Sequence, residues 1–292
     1  IFAFLLVTGF VLFAYEVLSC SRRTILAAML FFFNGGFGFA YFFDKANKNP
    51  EVFRSLFKGF FTPTTIKDHN IMVWNVICDT LLCQRAALAG YAVFFLALWL
   101  GYRGLRSGER RYFLLAGLAG GALPMIHTPS YLIFLLIMFA WILQYFLLVK
   151  KKTSFKNIFF LTLFLLALGV PQLMFWTKPQ VSEGHFLRIV FNGINDQDFW
   201  LWFWVKNAGI VFLFLLPALW AAGRERLAFY SPAIVLFFLA EIFLFAPWKA
   251  DNNKVYHIWL AFTCIFVAEY LVTIYDRLQG IRGRGVLAAL VL

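Results

Sequence analysis

The sequence predicts an all-α, polytopic transmembrane bundle, on three observations. Of its 292 residues 62% are apolar and 21% aromatic, while only 14% are charged, against about 25% in soluble domains. The apolar residues gather in runs close to the length of about 20 residues that a helix needs to cross hydrocarbon. Positive charge alternates between the loops that join those runs. A chain so poor in polar side chains cannot cover a water-soluble globule, and its composition fits neither a disordered chain, a collagen nor a disulfide scaffold. The formal net charge of +12 therefore has to be assigned to a place before it is assigned to a partner.

In chain order, the apolar runs fall at about residues 1–20, 24–43, 86–102, 112–126, 130–149, 157–176, 200–222, 228–247, 255–275 and from 285 onward. They amount to roughly nine or ten spans in a single transmembrane domain, residues 1–292, with an outward loop region at about 44–85. The first run has no basic leader and no small-residue cleavage site, so it reads as a span rather than a signal peptide. The chain opens at Ile1 inside one apolar run and closes at Leu292 inside another, which predicts truncation at both ends.

Sorting alternate loops by charge tests this layout independently. One set holds Arg22 and Arg23; Arg103, Arg106, Arg110 and Arg111; Lys150, Lys151, Lys152 and Lys156; Arg224 and Arg226; and Arg277, Arg282 and Arg284. Its only acidic members are Glu109, Glu225 and Asp276. The positive-inside pattern puts this set in the cytoplasm. The basic balance then implies contact with anionic membrane lipids and no nucleic-acid partner, since no basic stretch is interleaved with a nucleic-acid module.

The opposite face collects the unusual polar residues. Segments 44–85, 127–130, 177–199 and 247–254 carry Asp68, His69, Asn75, Asp79, Gln84, Arg85, His127, Glu183, His185, Asp196, Asp198, Asp251, Asn252 and Lys254, with His257 one turn further on. Ionisable groups at membrane depth are costly and usually face a bundle interior or a wet path, so an outward polar cavity is expected there.

Five constellations follow. In Pro247 to His257, Asp251 or Asn252 is placed to cap the next helix, while Lys254 and His257 share a face with the small residues Ala261, Cys264 and Ala268; a capped helix with a snorkelling lysine and a phosphate-binding pair fit equally well. In Trp74 to Arg85, Asn75 and Asp79 lie four apart on one helix face, and Gln84 and Arg85 open the following span. An arginine outside the basic face is suited to gripping a phosphate bidentately, or to anchoring a helix at the interface. Pro124-Met-Ile-His127-Thr-Pro129-Ser130 predicts a tight break with His127 at its tip. Asp196 and Asp198 precede Trp200, Trp202 and Trp204; the two carboxylates read as a helix cap more readily than as ligands of a hard cation, and the tryptophans as an interfacial belt. Lys206 reads as snorkelling or cavity-lining. Asn34-Gly-Gly-Phe-Gly38 reads as a close helix contact rather than a phosphate loop.

Glu16, Glu241 and Glu269 fall within apolar runs, where carboxylates also mark ion paths. The four cysteines have no zinc spacing, and Cys78 and Cys83, five helical steps apart, point to different faces. No metal site is expected, no cofactor is implied with certainty, and a divalent cation stays open.

The ordered series Gly-Gly-x-Gly, Gln84-Arg85, Pro124-x-x-His127-x-x-Ser130, Pro171-Gln172-Leu173, Phe203-Trp204-x-x-Asn207-x-Gly209 and Pro247-Trp248-x-x-Asp251-Asn252-x-Lys254 resembles uncharacterised bacterial membrane proteins of the GT-C glycosyltransferase type. The resemblance spans most of the chain, although each motif is short. It implies a multi-pass protein of the bacterial inner membrane that moves a sugar from a polyprenyl-phosphate donor to an acceptor at the exoplasmic face. The family's catalytic carboxylate sits in the first outward loop, expected upstream of Ile1, so the catalytic residue is unassigned. Within that implication Arg85 and Lys254 stabilise the departing lipid phosphate, His127 and His257 assist as phosphate ligands or acids, and Gln84, Asp251, Asn252 and Asn75 orient sugar hydroxyls or one another. The rival reading is a transporter or flippase in which the intramembrane glutamates relay protons; a scaffold that only binds lipid-linked glycans is a third.

Overall fold

The computed structural model describes the chain except residues 59–64, 74, 150–154, 183–185, 279, 281–282, 286 and 289–292. Glu183, His185, Lys150, Lys151, Lys152 and Arg282 therefore lie outside the described residues, as does the side chain of Asp79. The all-α expectation holds. Among the described residues twelve α-helices run in chain order: α1 Phe2–Leu18, α2 Ser21–Phe33, α3 Gly38–Lys48, α4 Glu51–Lys58, α5 Arg85–Ser107, α6 Arg110–Gly121, α7 Leu123–Gln144, α8 Phe155–Gln172, α9 Lys178–Ser182, α10 Trp200–Ala221, α11 Arg224–Ile242 and α12 Asn253–Arg277. A π-helical turn spans Val76–Leu81, and a two-residue antiparallel pair joins β1 (Arg188–Ile189) to β2 (Phe243–Leu244).

Helices occur in each expected apolar run up to residue 275, yet among the described residues five helical stretches are long and apolar enough to cross a membrane unaided: Arg85–Ser107, Leu123–Leu147, Phe155–Val181, Trp200–Ala221 and Lys249–Arg277. The shortfall from roughly nine or ten has local causes. The second run breaks after Phe33 into α2 and α3, bent by 52°. α1 has 17 residues and α6 only 12, while α11 carries Arg224, Glu225, Arg226 and Glu241.

Sequence dictates the packing. α12 is apolar all round and buried nearly all along its length from Val255 to Ala268, as a central helix must be. The stripe Ala261, Cys264 and Ala268 is fully buried, as expected of small residues that let helices approach closely. Around α12 aromatic rings fill the gaps: Phe13, Trp141, Phe229 and Phe262 on one side, and Trp204, Phe237, Tyr256 and Trp259 on the other. Trp204 is thus a core residue, whereas Trp202 is exposed, so the expected belt is not formed by all three tryptophans.

Helices alternate in direction. α5 turns into α6 at Gly108, whose positive φ of 74° only glycine adopts freely. α8 runs parallel to α6: Asn157 donates to the Gly108 carbonyl (2.8 Å) at one end and Gln172 to the Gly121 carbonyl (3.0 Å) at the other. The break falls at His127, as expected: Ala122 keeps a helical backbone (φ −79°, ψ −15°), so the chain passes through it without breaking. His127 sits at the kink itself, with a non-helical backbone (φ −160°, ψ 93°) inside α7, and its side chain is buried.

These directions gather Arg22, Arg23, Arg103, Arg106 and Arg226 at one end of the bundle. Glu16 is gripped by Arg103 (3.0 Å) and Arg106 (3.6 Å), Glu269 by Arg23 (3.1 Å) and Arg226 (2.9 Å), and Asp276 by Arg22 (2.9 Å). Glu16 and Glu269 are therefore not isolated carboxylates at membrane depth; they tie α1, α2, α5, α11 and α12 together at the basic end. Glu241, at the other end, accepts from Tyr256 Oη (2.7 Å) and from Trp200 Nε1.

Candidate functional site

The end opposite the arginines is built on asparagine amides. The connecting segments there have little regular structure of their own, so their buried N–H and C=O groups need side-chain partners. Asn207 of α10 accepts from the N–H groups of Met72 (2.6 Å) and Val73 (2.8 Å) and donates to the carbonyls of Asn70 and Phe203. Asn253 donates to the Met72 carbonyl (3.0 Å). Asn75 donates to the carbonyls of Phe32 and Asn34 and caps the π-helical turn by accepting from the Ile77 and Cys78 N–H groups. Asn252 accepts from the Phe245 N–H and donates to the carbonyls of Ala240 and Phe243. The amides of Asn75 and Asn252 are thereby committed to the backbone, which gives them a positioning role in place of the expected contact with sugar hydroxyls.

Two helix breaks meet at this end. Gly36 (φ 59°) sits against Gly209 (φ 59°), and the Phe37 N–H donates to the Lys206 carbonyl (2.7 Å), a backbone group exposed by the break in α10. A Cβ on Gly36 would lie 2.3 Å from that carbonyl oxygen. The glycine run is thus a close helix contact. Next to it Lys206, nearly fully buried, pairs with Asp198 (2.6 Å) and donates to the His69 carbonyl (2.7 Å). Asp198 neither caps α10, whose N-cap is Phe199, nor shares a cation with Asp196, which pairs with Lys249 (2.9 Å). Among the described residues no His, Cys, Asp or Glu cluster has the makings of a metal site.

Three of the expected site residues, Lys254, His257 and His127, converge on one unexpected residue, Tyr91 of α5. Its hydroxyl donates to the Lys254 carbonyl (3.1 Å) and lies 3.4 Å from His257 Nδ1, which also faces Thr80 Oγ1 at 3.4 Å. The His127 and His257 rings stand edge-on to the Tyr91 ring, at centroid distances of 5.7 and 6.1 Å. His127 reaches this position because Gly90 has no side chain: a Cβ there would lie 2.3 Å from His127 Cβ. Lys254 pairs with Asp251 (2.8 Å) at the partly exposed mouth. Arg85 opens α5 on the exposed rim, and Gln84 precedes it, half buried, without capping the helix.

His127 has one committed and one open nitrogen. Nδ1 lies 2.8 Å from Ser130 Oγ, while Nε2 is buried without a partner among the described residues. Whichever way the Nδ1 bond runs fixes the other nitrogen: with serine donating, Nε2 carries a proton to give, and with the ring donating, Nε2 is a base. Tyr91 and Thr80 left no mark in the sequence, because a lone hydroxyl in or beside an apolar run has no periodicity. The general signal is only that a buried Tyr hydroxyl needs a partner.

The fold and site together define the class: a helical protein with the long apolar helices of a multi-pass membrane protein, and a polar cluster at the end away from the arginine–carboxylate pairs. Comparison with protein-family models, with curated proteins and with solved structures finds no match to the chain.

Proposed function

We propose that the protein is a GT-C type glycosyltransferase of a bacterial plasma membrane, moving a sugar from a polyprenyl-phosphate donor to an acceptor at the outer face. The observation that carries this reading is the convergence of Lys254, His257 and His127 on Tyr91, with Arg85 on the rim above, at the end opposite the basic cluster. A lipid-phosphate donor lies in the bilayer with its phosphate at the polar boundary, where a guanidinium and an ammonium stabilise the negative charge that grows as the glycosidic bond breaks. Asp251 holds Lys254 in place as a counter-ion, and His127 Nε2 is the open hydrogen-bonding group for the sugar or acceptor.

The transporter reading draws support from the two broken helices meeting at Gly36 and Gly209, since half-helix ends commonly line substrate paths. Here, however, the breaks are packed backbone to backbone and leave no room for a solute. Glu16 and Glu269 are locked in ion pairs at the basic end, so the three glutamates do not form a relay.

The test is turnover of radiolabelled polyprenyl-phosphate sugars by the full-length protein in membrane vesicles. Arg85→Ala and Lys254→Ala are each expected to lower turnover by about a hundred-fold, the usual loss when one donor to a developing anion is removed, with membrane insertion unchanged. Undiminished turnover in both variants would remove these residues from the site.

A further inference from the structure

A second polar site lies outside the Tyr91 cluster, on the α3 side of the same end. A cavity of about 480 Å³ opens between α3 and the turn at Lys67–His69, with Tyr41, Thr65, Lys67, Asp68, His69 and Lys45 in its wall. Its back is rigid: Tyr41 stacks on His69 (centroids 4.2 Å, 12° between planes), and the buried Lys206 lies 5.8 Å from the Tyr41 centroid while donating to the His69 carbonyl. Asp44 and Lys48 neutralise one another across 2.8 Å. Lys45, Lys67 and Asp68 form no ion pair among the described residues, and the Thr65 hydroxyl is buried without a partner. Among the described residues the cavity thus presents two ammonium groups and one carboxylate outside any ion pair, and an orphaned hydroxyl.

The surroundings suit a wall that faces a membrane surface. α3 swings 52° away from α2, and α3 and α4 together expose Phe39, Phe43 and Phe53 while carrying Asp44, Lys45, Lys48, Glu51, Arg54 and Lys58. Helices that are apolar on one side and charged on the other lie in the headgroup layer with their rings in the acyl boundary.

We propose that this cavity binds the headgroup of a zwitterionic phospholipid carrying a primary ammonium: the phosphate between Lys45 and Lys67, with Thr65 as a further hydrogen-bonding group, and the ammonium on Asp68, with the acyl chains beside Phe39 and Phe43. Two cations alone would suit any anionic lipid; the carboxylate in the same wall and the aromatic floor select a headgroup with both charges. The assignment is independent of the glycosyltransferase reading, since none of these residues belongs to the Tyr91 cluster.

The experiment is native mass spectrometry of the full-length protein in detergent, titrated with phosphatidylethanolamine, phosphatidylglycerol or free phosphoethanolamine. Wild type is expected to retain phosphatidylethanolamine about five-fold better than phosphatidylglycerol, the scale of a partly exposed ion pair. Asp68→Asn should erase that preference without reducing phosphatidylglycerol binding, and Lys45→Ala/Lys67→Ala should weaken both lipids. All three residues are exposed, so the variants should fold, and an unchanged melting temperature checks that they do. Equal retention of the two lipids by wild type, or an Asp68→Asn protein with the wild-type preference, would overturn the proposal. Displacement of the lipid by equimolar free phosphoethanolamine would overturn its assignment to a lipid.

Discussion

Asp198→Ala is expected to cost about 3 kcal/mol of stability, the lower end of what breaking a buried ion pair costs, and to release the segment at residues 65–73. The cause is the cation left behind. Lys206 is nearly fully buried, and without Asp198 its charge retains, among the described residues, the His69 carbonyl and the face of Tyr41. The same carboxylate accepts from Asn70 Nδ2 (2.7 Å), so the loop loses a second anchor. Adding Lys206→Met removes the stranded charge and should recover part of the loss; this double-mutant cycle separates electrostatics from shape. The measurement is the thermal midpoint of the purified protein in detergent. A single variant as stable as wild type, or a double variant worse than the sum of the singles, would contradict this role for the pair.

Gly36→Val is the second large effect. Its φ of 59° is a region that a β-branched residue adopts only under strain, costing about 1–3 kcal/mol, and the new side chain would meet the Lys206 carbonyl at 2.3 Å. That oxygen is backbone, so it cannot turn aside. The Phe37 N–H would then lose its hydrogen bond to the same carbonyl, and the α2–α3 elbow would part from the break in α10. The expected result is little monodisperse protein at normal expression; wild-type yield and thermal midpoint would show that the contact is not needed. Gly209, with φ 59° and ψ −136°, is under the same constraint from the other side.

Much of the architecture was legible because hydrocarbon imposes it. Apolar runs located the helices, and loop charge sorted them into two ends that the fold keeps apart: the sorted arginines 22, 23, 103, 106 and 226 all meet acidic partners at one end. The helix breaks were less legible. The break in α7 is the exception: Pro124 and Pro129 flank it, the non-helical residue is His127, and Pro124 is accommodated in the first turn of α7, where a missing N–H costs nothing. The Gly-Gly-Phe-Gly stretch was recognisable as a close contact, but not as the elbow of a span, because glycine serves both.

For the candidate site, helical spacing was enough to associate Asp251, Lys254 and His257, which share one turn-and-a-half of chain. What joins them to His127 was invisible. Tyr91 and Thr80 come from other elements, and their role follows from three-dimensional packing across Gly90 rather than from any local pattern. Asn75 and Asn252 looked like ligands because they are polar at a mouth. Their amides serve the backbone, a use that sequence cannot distinguish from binding until the unpaired carbonyls around them are located. Asp198 looked like a cap for the same reason, and its true partner is eight residues along the chain.

Sidedness underlies the whole functional reading, and two native cysteines report it. Cys83 is exposed beside Gln84 and Arg85 at the polar end, and Cys20 lies between α1 and α2 at the arginine end. With Cys78→Ser and Cys264→Ser in the background, a membrane-impermeant maleimide applied to intact cells is expected to label Cys83 and to reach Cys20 only after permeabilisation. Labelling of Cys20 in intact cells, with Cys83 protected until lysis, would put the polar cluster on the cytoplasmic side and contradict an outward-facing glycosyltransferase site.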